Sequence, residues 1–127
     1  MSLRKALITG FALSLISSSV FANEQLPCPA IAKVQSAVSR LNSATQIDLA
    51  LYNTYSSFVA FKDSSLPWFI HVNNIKATNS SDALTAGKIA IKGISFIKNE
   101  NAVLNDHYYY CYYGNGDIVV SSGYVSP

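Results

Sequence analysis

Residues 106–120 read DHYYYCYYGNGDIVV, five tyrosines around one cysteine, followed by a glycine-rich turn. Asn115-Gly116 is a strong hairpin signal, because both positions of a two-residue turn take positive φ and these residue types tolerate it best. With Asn115 and Gly116 as the loop, Tyr113 pairs with Ile118, Tyr112 with Val119, Cys111 with Val120 and Tyr110 with Ser121. Side chains alternate across a strand, so Tyr109, Cys111 and Tyr113 share a face with Ile118, Val120 and Tyr124. Tyr108, Tyr110 and Tyr112 share the opposite face with Val119, Ser121 and Gly123. The cysteine decides which face is inside. Its disulfide partner has to be Cys28, at the start of the first helix, and a helix packs on the buried side of a one-layer sheet. Tyr108, Tyr110 and Tyr112 are therefore expected to form an outward aromatic stripe.

Cys28 and Cys111 are the only cysteines and stand 83 positions apart. One disulfide is the expected state of such a pair in an exported chain. In the chain-entropy model a bridge closing a loop of this length contributes about 4.5 kcal/mol. Export is read from the first residues. Arg4 and Lys5 precede an apolar run at 6–16, and Val20-Phe21-Ala22 forms a small-x-small cleavage pattern. The run falls short of the roughly 20 residues that cross a bilayer. Cys28 follows Pro27 and lies six residues beyond Ala22, which excludes a lipidated cysteine at the cleavage point. The expectation is a signal peptide over residues 1–22, cleaved near Ala22, and a single periplasmic or secreted domain over 23–127 with no membrane anchor.

Both basic residues of the leader leave with it, so seven basic and seven acidic residues remain. Without a cationic surplus there is little counterion-release drive toward nucleic acid, and no polybasic segment for anionic lipid.

Upstream of the hairpin, Pro29 suits the first turn of a helix, and Ile31, Val34, Val38 and Leu41 recur at helical spacing until the polar Asn42-Ser43. Residues 46–51 alternate with Ile47, Leu49 and Leu51 on one side, which suits a short strand or a helical turn. Residues 55–62 form a strand rich in aromatic and branched side chains, and 63–67 a connection. Residues 68–76 form the antiparallel partner, with Trp68, Ile70 and Val72 on one face and Phe69 and His71 on the other.

The clearest helix lies in ATNSSDALTAGKIAIKGISFIKN. Ser80 or Ser81 caps it, Asp82 meets the positive end of its dipole, and Leu84, Ala90, Ile91, Ile94 and Ile97 form its apolar stripe, opposite Lys88 and Lys92. Gly87 costs up to about 1 kcal/mol relative to alanine in a helix interior, which marks close packing against the sheet. Together these elements predict an α+β fold, a single small domain. Its antiparallel sheet has four to five strands with two helices on one face, in the order α-β-β(-β)-α-β-β.

Little in the chain points to chemistry. The two histidines and seven carboxylates are scattered without metal-ligand spacing, and no nucleophile elbow, phosphate loop or zinc signature is present. His71 and His107 are read as surface or edge-strand residues. No residue is assigned a catalytic or metal-binding role, and the chain is read as not an enzyme. A row of outward tyrosines offers flat apolar area and hydroxyl donors at low entropic cost, the properties of a binding surface. Tyrosine also serves as an axial ligand of haem iron, and Tyr108 with Tyr112, or Tyr109 with Tyr113, stands on one strand face.

The leader, Cys-Pro opening a helix, LPWFIHVNNIKAT leading into SSDALTAGKIAIKGI, and the terminal YYYCYYGNGDIVVSSGYVSP occur in this order. In these features the chain resembles small exported proteins of intracellular gamma-proteobacteria that share a domain of unknown function, some of them labelled haemin-binding. The resemblance implies export and raises haem as a cofactor, without a ligand motif to carry over. The expected function is a non-enzymatic exported binding protein for a protein, peptide or small-molecule ligand, with Tyr108, Tyr110 and Tyr112 as candidate ligand-binding residues. The alternatives are haem binding through a tyrosine and secreted inhibition of a hydrolase.

Overall fold

A computed structural model describes residues 26–61 and 66–123. The leader with its cleavage point near Ala22, the connection at 63–65 and Tyr124 lie outside the described residues. The element order is α1 (Ile31–Ser36), a 3-10 turn (Val38–Arg40), β1 (Leu41–Asp48), β2 (Leu51–Ser56), β3 (Val59–Ala60), β4 (Pro67–Lys76), α2 (Ser80–Lys92), β5 (Val103–Asn105), β6 (Tyr108–Tyr113) and β7 (Ile118–Ser122). The seven strands of the described residues join one antiparallel sheet, in the order β1-β2-β4-β7-β6-β5 with β3 pairing β4 off this path. Trp68 pairs with both Val59 and Ser122, so β3 lies on the same edge of β4 as β2.

The α+β class holds, but seven strands replace the expected four to five. Part of the difference lies in the first half of the chain. The expected first helix ends early, and Leu41, counted on its apolar stripe, opens β1 instead. Residues 46–51, expected as a short strand or a helical turn, instead span the β1–β2 hairpin. Leu49 and Ala50 form its turn, Ala50 at φ 55° and Leu49 at 88% exposure. Alternating apolar letters there mark no buried face. The strand expected over 55–62 starts earlier, at Leu51, and breaks at Ser57-Phe58. Polar groups stitch this break: Ile70 N–H donates to Ser56 Oγ at 2.8 Å, and Ser57 N–H to the Arg40 carbonyl at 3.2 Å.

The expected pattern on β4 is correct for Trp68, Ile70 and Val72, all at or below 2% exposure. Continued alternation would turn Ile75 outward, yet it is buried. A β-bulge restores it: Tyr52 pairs with Ile75 and Thr54 with Val72, so β4 carries one extra residue. Asn74 takes φ 60°, a conformation asparagine tolerates better than most residues. Its backbone N–H donates to Asn53 Oδ1 at 3.0 Å.

Helix α2 is capped by Asn79 rather than Ser80 or Ser81; the Asn79 Oδ1 accepts the Asp82 N–H at 2.8 Å. Its buried face is Ala83, Gly87 and Ile91, while Ile94 and Ile97 lie past its end. A Cβ on Gly87 would stand 2.8 Å from Thr54 Oγ1 and 2.9 Å from Leu41 Cδ2, so the glycine does mark close packing on the sheet. Helix α1 joins the same layer. Val34 is fully buried, and Gln35 Nε2 donates to the Lys92 carbonyl at the end of α2, at 2.9 Å.

The disulfide pairs Cys28 with Cys111, with Cα atoms 5.7 Å apart. Next to it, the fully buried Tyr113 donates its hydroxyl to the Pro29 carbonyl at 2.6 Å. Burial pushes this phenol well above its ordinary titration range.

Candidate functional site

With both helices on one side, the other side of the sheet is left to the outward side chains of β2, β4, β7 and β6. The β6–β7 register is the one read from sequence: Tyr110 with Ser121, Cys111 with Val120, Tyr112 with Val119, Tyr113 with Ile118. The turn itself differs. Positive φ falls on Gly114 (61°) and Gly116 (104°), not on Asn115, and Gly116 N–H closes the turn onto the Tyr113 carbonyl at 3.1 Å. The expected type I′ turn at Asn115-Gly116 is thus replaced by a four-residue connection at 114–117. Asn115 instead accepts the Asp117 N–H on its side chain.

Cys111 and Tyr113 are inside and Tyr109 packs against the core, as their parity requires. Tyr110 and Tyr112 are outside. Their rings are nearly parallel, 18° apart, with centroids separated by 6.4 Å. Tyr108 has the same parity and pairs with Asn105 on β5, but it stands at the start of the strand and does not line the groove described next. Two of the three candidate tyrosines are brought together.

The groove, of about 310 Å³, is lined by His71 and Asn73 from β4, Val119 and Ser121 from β7, and Tyr110 and Tyr112 from β6. Cross-strand pairing builds it. The register places Tyr55, His71, Val119 and Tyr112 in one row across four strands, and Phe69, Ser121 and Tyr110 in the next. His71 Nε2 lies 3.0 Å from Ser121 Oγ, and the Tyr55 ring meets the imidazole edge-on at 5.4 Å. No lining side chain carries a fixed charge, so the groove suits a neutral group with an apolar body and a few hydrogen-bonding atoms.

Burial lowers the His71 pKa below the ordinary imidazole value near 6.5. Near neutral pH the ring is therefore uncharged. As pH falls below about 6.5, the unfolded chain takes up this proton before the folded one does. Stability linked to His71 is thus complete above that value and is lost as pH drops toward the lower folded value. Urea midpoints measured from pH 7.5 to 5 are expected to fall for the native protein and to fall less for His71→Gln. Equal slopes would show that His71 does not control this acid sensitivity.

Sequence reasoning missed three contributors. His71, expected on the surface or an edge strand, lies on β4, which is central and flanked by β2 and β7. Asn73 is aimed by the neighbouring bulge, where its N–H donates to the Asp117 carbonyl at 2.8 Å. Asn99 acts from the edge of β6, on its backbone. Its Oδ1 accepts the Tyr112 N–H at 2.8 Å and its Nδ2 donates to the Tyr110 carbonyl at 3.3 Å, so one side chain replaces a strand along this part of β6. Local periodicity carries a signal for the outward parity of His71, but none for the neighbour of β4 or for the reach of Asn99.

Among the described residues no group of three or more His, Cys, Asp or Glu is arranged to hold a metal ion, and no helix is long and apolar enough to cross a membrane. Compared with known proteins, the chain matches no family model, no curated protein and no solved structure.

Proposed function

We propose that this is an exported, non-enzymatic binding protein that engages a protein or peptide partner through the helix-free face of its sheet, at the groove between Tyr110, Tyr112 and His71. The observation that carries the proposal is the groove itself: a neutral, partly apolar depression in which two parallel tyrosine rings stand beside a histidine and a serine. Export is supported by the leader pattern and by the disulfide. The resemblance to small exported proteins of host-associated bacteria belongs to the same proposal.

The test is a peptide-display selection on the native protein, counter-screened on the Tyr108→Ser/Tyr110→Ser/Tyr112→Ser variant. All three side chains lie outside the core, so the variant should keep its melting midpoint within a few degrees while selected peptides lose about tenfold or more in affinity. Peptides that bind both proteins equally would move the site elsewhere.

Haem is the second reading, favoured by the presence of His71 and Tyr112 in one groove, since both residue types ligate haem iron. A saturable Soret band at micromolar haemin that disappears in Tyr112→Ser would transfer the assignment to haem.

A further inference from the structure

The parallel arrangement of Tyr110 and Tyr112 follows from the strand. Residues two apart on one strand face repeat every ~6.6 Å, and the centroids stand 6.4 Å apart with planes within 18°. That distance lies toward the far limit of direct aromatic pairing, which runs from about 4.5 to 7 Å. The two rings are therefore not in close contact with each other, and both are partly exposed on the groove. Around the rings the lining is uncharged, with Val119 as its apolar floor and Asn73, Ser121 and His71 as polar neighbours. The volume, about 310 Å³, suits one or two fused rings.

We propose that the groove takes a single planar aromatic side chain of the partner, stacked on the Tyr110 and Tyr112 rings, with indole and phenol preferred over aliphatic groups of equal size. The proposal rests on the reading of this groove as the binding site and names the anchor the partner supplies. Ring stacking selects the flat shape. The polar neighbours select a ring with a hydrogen-bonding edge, which indole and phenol have and leucine lacks. A short aromatic anchor in a preformed pocket is the arrangement that dominates many interfaces.

The probe is N-acetyl-tryptophanamide, titrated into the full disulfide-bonded chain and followed by proton NMR of the tyrosine rings, with N-acetyl-leucinamide as the aliphatic control. Saturable upfield ring-current shifts are expected on Tyr110 and Tyr112, with half-saturation on the order of 1 mM. Tyr110→Leu and Tyr112→Leu should each weaken binding about fivefold. Equal shifts from the leucine amide, or shifts that spare these two rings, would overturn the aromatic anchor on the native protein alone, whatever the variants do. If display-selected peptides still bind this face while the tryptophan amide does not, the anchor is wrong and the binding face stands; if neither binds, both fall.

Discussion

Removing the disulfide through the Cys28→Ala/Cys111→Ala double variant is expected to lower the thermal unfolding midpoint by about 20 °C. The bridge spans 83 positions, and the chain-entropy model assigns a loop of this length about 4.5 kcal/mol. For a domain of roughly 100 residues, each kcal/mol moves the midpoint by about 4 to 8 °C. A further contribution comes from position. Cys111 is fully buried on β6, and its bridge holds residues 28–30 beside Tyr113, whose hydroxyl uses the Pro29 carbonyl. Freed of the bridge, this segment keeps backbone bonds such as Cys28 N–H to the Glu100 carbonyl at 2.9 Å, but gains entropy on unfolding. Calorimetry of the native and double-variant proteins measures the difference; coincident melting would remove the staple from the list of stabilising features.

The second large effect is expected at Trp68. It is the only tryptophan in the chain, is completely buried, and pairs with Val59 on β3 and Ser122 on β7. Trp68→Ala removes the largest fully buried side chain at a place where the core already adjoins a cavity of about 210 Å³ lined by Phe61, Cys28, Pro27 and Pro29. Relaxation has little to fill that space with. Loss of transfer energy together with the cavity costs about 3 to 5 kcal/mol in such substitutions. Phe69→Ala is the internal control, because Phe69 is next in sequence but faces the other side and is half-buried. Its urea midpoint should shift by less than half as much. Equal shifts would mean that β4 does not present its two faces as described.

Parity along β4 and β6 was legible from sequence because a strand imposes period two whatever its neighbours are, and because the 111–120 hairpin is local. The register does not depend on the turn type, since a two-residue and a four-residue connection both leave Tyr113 opposite Ile118. Gly87 was legible too, as a glycine tolerated inside a helix only for a reason. The first half of the chain was not. Leu41 fits a helical stripe and opens a strand, and Ile47 and Leu49 alternate without being buried, because the turn at Leu49-Ala50 interrupts them. Edge strands β1 and β5 pair with the strands next to them in sequence, β2 and β6, but their side chains are mostly exposed, so no alternating apolar pattern announces them. The groove was hidden for another reason. Tyr110 and Tyr112 could be placed outside from the hairpin alone, whereas His71 and Asn73 join them only because β4 pairs with β7, a contact between residues about fifty positions apart.

The most direct test of the proposed binding face is a chemical-shift map of a display-selected peptide on the native protein. Perturbations are expected to cluster on His71, Asn73, Tyr110, Tyr112, Val119 and Ser121, the lining of one groove on the helix-free side of the sheet. A map centred instead on α2, around Lys88 and Lys92, would contradict it.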